Sequence, residues 1–96
     1  MRVTGPLLKV VQELLAEPEP IYGFDLLRRT RLKSGTLYPL LDRLETAGWV
    51  TSSWEEINTR AEGRPRRRFY RLTGEGAHEA RQMLAEYGMR GATSAF

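Results

Sequence analysis

The sequence predicts a small, mainly α-helical domain that carries one β-hairpin, in the order helix, helix, helix, strand, strand, helix. Three observations predict it. Apolar residues recur at three- and four-residue spacing before and after the middle of the chain. Past Gly48 the pattern turns to β-branched and aromatic residues, over residues 49–57 and again over 66–72. Between and within those runs, residues 58–71 hold six arginines (Arg60, Arg64, Arg66, Arg67, Arg68, Arg71) against one acid, Glu62.

The first helix follows a short frayed start. Thr4 is its expected N-cap and Pro6 fits its first turn. Leu7, Leu8, Val10, Val11, Leu14 and Leu15 spread over a wide apolar face. Such a face is either deeply buried or divided between a core and a second subunit. Pro18 and Pro20 end the helix.

The second helix is expected over residues 21–29, packed through Tyr22, Phe24, Leu26 and Leu27, with Gly23 allowing a close neighbour. Arg28, Arg29, Arg31 and Lys33 line the turn that follows. They either complement the helix dipole or clamp a polyanion backbone. The connection has helix-turn-helix length.

The third helix organises the chain. Leu37, Leu40, Leu41, Leu44 and Ala47 share one stripe. Ser34 is the expected cap, Pro39 belongs in or near the first turn, and Gly48 suits the left-handed position that closes the helix. Its opening residues, Lys33, Ser34, Gly35, Thr36 and Tyr38, are basic, small or hydroxylated around free amide groups. That is suitable chemistry for phosphate oxygens and base edges.

Residues 58–65 read as the hairpin loop, broken by Gly63 and Pro65. In the second strand Tyr70 and Leu72 share a face and Phe69 takes the other. A lone hairpin is marginal in water, so it must lie on the helices. Thr73 is the expected cap of the last helix, with Glu75 in its first turn. Ala77, Ala80, Leu84 and Tyr87 follow one face of it. The first helix or another subunit must cover that face, so Leu7, Val11, Ala77, Ala80, Leu84 and Tyr87 are the candidate dimerisation residues. Residues 1–88 form one domain, residues 73–88 its dimerisation helix, and residues 89–96 a flexible tail.

Composition narrows function. The net charge is only +3, yet residues 58–71 carry +5, which leaves −2 on the rest. A local basic patch on a near-neutral body is the footprint of a polyanion site. Arginine rather than lysine fills the hairpin, and its planar fork suits phosphates and guanine edges. There is no cysteine and one histidine, His78, so no metal or cofactor is expected. Glu55 and Glu56 are neighbours on a strand and point to opposite faces, so they make no catalytic carboxylate pair. Gly74-Glu75-Gly76 lacks the lysine of a phosphate loop. No apolar run is long enough to span a membrane, and a cytoplasmic, non-enzymatic protein is expected. Trp49 and Trp54 read as core and sheet residues rather than a platform for a flat ligand.

Together these features describe a winged helix-turn-helix, with the third helix in the major groove and the basic hairpin as the wing. The candidate DNA contacts are Lys33, Ser34, Gly35, Thr36, Tyr38, Arg60, Arg64, Arg66 and Arg67. The alternative is a winged-helix interaction module whose arginines meet an acidic protein surface.

Residues 21–27 (Ile-Tyr-Gly-Phe-Asp-Leu-Leu), 34–50 (Ser-Gly-Thr-Leu-Tyr-Pro-Leu-Leu-Asp-Arg-Leu-Glu-Thr-Ala-Gly-Trp-Val) and 63–76 (Gly-Arg-Pro-Arg-Arg-Arg-Phe-Tyr-Arg-Leu-Thr-Gly-Glu-Gly) resemble the PadR family of transcriptional regulators. The resemblance implies a homodimeric repressor of inverted-repeat operators on double-stranded DNA. It also implies that Ser34, Thr36 and Tyr38 face DNA and that Tyr22 lies near a phosphate. Two departures stand out: residues 30–33 make a shorter link than the family usually has, and little chain follows the last helix. A small aromatic effector is a partner the resemblance raises and the short C-terminal region argues against.

Overall fold

The computed structural model describes residues 1–88. The expected tail at residues 89–96 lies outside them. Helix α1 (Gly5–Ala16) starts where Thr4 Oγ1 accepts the Leu7 N–H at 3.2 Å, with Pro6 in its first turn. Strand β1 (Ile21–Tyr22) leads into α2 (Gly23–Thr30), and α3 spans Ser34–Thr46. Strand β2 (Val50–Trp54), a short helix α4 (Thr59–Glu62) and strand β3 (Arg68–Leu72) form the hairpin. Helix α5 (Gly74–Met83) continues as one π-helical turn, Leu84–Gly88.

This order corrects the sequence expectation at two places. Residues 21 and 22 are not helical. They pair antiparallel with β3, Ile21 opposite Tyr70 and Tyr22 opposite Phe69, which makes a three-stranded sheet in the order β1-β3-β2. Two residues are too few to show a strand period, so only the tertiary pairing reveals them. The loop also contains α4: Asn58 Oδ1 accepts the Arg60 and Ala61 N–H groups at 3.0 and 3.1 Å, and Gly63 closes the turn at φ 68°. Both strands are shorter than their apolar runs, because register pairs Val50 with Leu72 and ends at Trp54 with Arg68.

The core is one cluster. Leu7, Val10, Val11 and Leu14 of α1 meet Leu26 of α2, Leu37, Leu40, Leu41 and Leu44 of α3, Val50, Tyr70, and Ala80 and Met83 of α5. Leu7, Val11 and Ala80 are fully buried inside this one chain. The sequence had offered them to a partner subunit, but α1 and α5 pack on each other and use them up. Ala77, Leu84 and Tyr87 keep some exposure.

Thr73 ties the elements together. Its N–H donates to Trp49 O at 2.9 Å, its Oγ1 donates to Gly48 O at 2.7 Å, and the same Oγ1 accepts the Gly76 N–H at 2.9 Å. The expected cap on α5 is therefore also the clasp between the end of α3, the root of β2 and the start of α5.

Candidate nucleic-acid interface

Helix α3 is seated by its leucines. Leu37, Leu41 and Leu44 are fully buried and Leu40 nearly so, which turns Ser34, Gly35, Thr36 and Tyr38 outward, all exposed. Lys33, not Ser34, is the N-cap, and no side chain caps the helix. Ser34 is the first helical residue, so its hydroxyl is left for an outside partner. Pro39 sits one turn further in than expected, inside the helix. It has no N–H to give to the Gly35 carbonyl.

Tyr38 lies back across α2. A Cβ placed on Gly23 would stand 3.3 Å from its Cε1 and 3.4 Å from its Oη, and 3.2 Å from Cε2 of Tyr70. The glycine of α2 thus makes room for an aromatic residue of α3, the close approach the sequence predicted for it.

Tyr22 and Arg67, far apart in sequence, are brought together: the Arg67 guanidinium lies 5.2 Å from the Tyr22 ring centre. Phe69 and Phe24 flank Tyr22 at 6.0 and 6.1 Å, and Phe24 is 51% exposed. The guanidinium is therefore carried on an aromatic surface, which stabilises it without neutralising it.

The hairpin sorts its arginines into tied and untied. Arg64 is tied: Nη1 and Nη2 donate to Glu55 Oε1 and Oε2 at 2.7 and 3.1 Å, and Nη1 also to the Pro65 carbonyl at 3.2 Å. The Arg67 N–H donates to the same carboxylate at 3.2 Å. The hydrogen bond from Arg64 holds the Glu55 carboxyl below the usual carboxylate range. Arg68 is tied as well: its Nη2 donates to Ser52 Oγ at 2.6 Å, approaches Glu45 of α3 at 3.9 Å, and its guanidinium lies 4.8 Å from the Trp54 ring centre. Ser52 in turn donates to Glu45 at 2.5 Å. Arg60 and Arg66 are exposed and, among the described residues, pair with no acid.

Sequence reasoning missed these acids. The sequence presents Glu55 only as a rejected catalytic group and gives Glu45 no role. Their partners lie across a loop and across a sheet, so only the strand register could have found them. Trp54, expected in the sheet, is 57% exposed and forms, with Thr59, Arg64, Pro65 and Arg66, the wall of an open cavity of about 650 Å³.

The Glu55 clamp predicts a pH response of the wing. Its folded pKa is lowered, so the stabilisation is present above the usual carboxylate range and is lost as pH falls through the lowered value. The Arg67 amide should report this, shifting in an NMR titration below the midpoint of ordinary surface carboxylates. In Glu55→Gln that titration should vanish. An Arg67 amide that titrates identically in both proteins would mean that the clamp does not form in solution.

A buried-stripe helix reached by a short turn, followed by a basic hairpin, defines a winged-helix DNA-binding protein. The model of the transcriptional regulator PadR-like family matches residues 11–82, and the chain belongs to that family. Solved structures agree. A PadR-like transcription factor from Bacteroides fragilis is 31% identical, with 93% of this chain and 87% of that one covered, at a TM-score of 0.66. A PadR family regulator from Clostridium difficile R20291 is 26% identical, with 94% of each chain covered, at 0.74. The PcaV regulator from Streptomyces coelicolor, solved with its natural ligand, is 23% identical at 0.77 and shares the fold; this chain spans 60% of its length. A search of curated protein sequences found no match. Among the described residues no helix is long and apolar enough to cross a membrane.

Proposed function

We propose that this protein is a homodimeric transcriptional repressor that reads an inverted-repeat operator in the cytoplasm. The observation that carries the reading is the outward row Ser34, Gly35, Thr36 and Tyr38 on a helix whose other face is locked in the core. The helix enters the major groove with that row at base edges. Lys33 and Tyr22 meet phosphates, and Arg60, Arg66 and the Tyr22-borne Arg67 reach flanking DNA from the wing. Arg64 acts through Glu55, holding the wing in shape. In the dimer, the two copies of α3 stand about 34 Å apart, one turn of DNA. Ala77, Leu84 and Tyr87, which keep exposure on α5 and its last turn, are the surface left for the dimer seam.

The test is binding to DNA from upstream of the protein's own gene, against random duplex of equal length, across a salt series. Selective binding with two chains per site, and an affinity that falls linearly with log salt, is the expected result. Equal, weak binding to both duplexes, lost at moderate salt, would remove the repressor reading and leave only a basic surface.

A further inference from the structure

Arg31 is the one non-glycine residue with a positive φ among the described residues, at φ 59° and ψ 21°. Left-handed backbone crowds a Cβ against the next carbonyl, which is why glycine usually follows a helix in this conformation. Three hydrogen bonds hold the turn in it. The Arg31 N–H donates to Leu27 O at 2.9 Å. On one side of it the buried Thr30 donates to Leu26 O at 2.7 Å and accepts the Leu32 N–H at 3.3 Å.

Nothing among the described residues compensates for keeping an arginine there. Arg31 is exposed and, among the described residues, faces no acid. Its neighbours differ: Arg28 approaches Asp25 and Arg29 approaches Glu17, each at 3.8 Å. Arg31 also stands two residues before Lys33, the N-cap of α3, and so at the entrance of the helix that carries the exposed polar row.

We infer that Arg31 is a phosphate clamp, aimed by its left-handed backbone at the DNA strand beside the entry of α3. The inference rests on the DNA-binding reading and extends it to a second anchoring point that owes nothing to the wing. A phosphate contact sets register and orientation and carries no sequence preference.

The experiment compares wild type, Arg31→Gly and Arg31→Lys on the upstream DNA and on a random-sequence duplex, with salt series and thermal unfolding. Glycine adopts the left-handed backbone freely, so R31G should melt no lower than wild type. It should bind both duplexes about tenfold more weakly, with a salt slope shallower by about one unit and unchanged selectivity. R31K, which keeps the charge, should recover most of the affinity. Should R31G melt low, Arg31→Asn tolerates the same backbone and must show the same loss. Wild-type affinity and slope in the neutral variants, in a protein that does bind duplex, would overturn the clamp alone. A wild type that binds neither duplex would overturn the DNA-binding reading, and the clamp with it.

Discussion

Gly76→Ala is expected to unfold the protein or to cost it about 3 kcal/mol or more, since overpacking a rigid contact ranks among the severe single changes. Gly76 is buried in the first turn of α5, against the backbone of Trp49. A Cβ there would collide with the Trp49 carbonyl oxygen and lie 2.6 and 2.7 Å from its carbonyl carbon and Cα. These are backbone atoms, so no side chain can swing aside. The Trp49 carbonyl also accepts the Thr73 N–H, and moving it would break that bond. A domain of this size has only about 5–10 kcal/mol in total, so the loss is a large share. Gly74→Ala is the control: nothing lies within 4 Å of its Cβ position, and it should melt like wild type. Urea unfolding followed by circular dichroism measures both. A G76A protein within about 0.5 kcal/mol of G74A would mean that α5 does not seat on Trp49.

Removing Arg60 and Arg66 together should lower affinity for duplex DNA about a hundredfold at moderate salt and reduce the salt slope by about two. These arginines are exposed and, among the described residues, tied to no acid, so each can displace counterions from phosphate. Their loss costs little stability, because neither packs in the core. Alanine at both positions with an unchanged melting point and an undiminished salt slope would take the wing out of the interface. The loss should be the same for operator and random duplex, because contacts of this kind position the protein and do not read sequence.

The helices were legible because their signals are local. Thr4, Pro6, Gly48 and Thr73 end or start helices as their chemistry predicts, with Gly48 at φ 82°. The leucine stripe of α3 was legible for the same reason, and it fixed which residues of the helix remain outside. Strand β1 was not legible, since Ile21 and Tyr22 are extended only by pairing with β3. Ser34 looked like a cap because serine often is one, yet the chain enters the helix one residue earlier, at Lys33. The candidate site was legible as a composition, six arginines in a hairpin, but not as a circuit. Which arginine is tied by Glu55 or Glu45 depends on strand register and on how the hairpin lies against α3, and neither is encoded in any short window.

Thr73 has a mechanical consequence. One hydroxyl and one amide connect the last residues of α3 and the root of the hairpin to the first turn of α5, across a contact that Gly76 leaves without slack. Bodies joined at zero clearance rotate together rather than bend. The start of α5, the end of α3 and the root of β2 are therefore expected to move as one body.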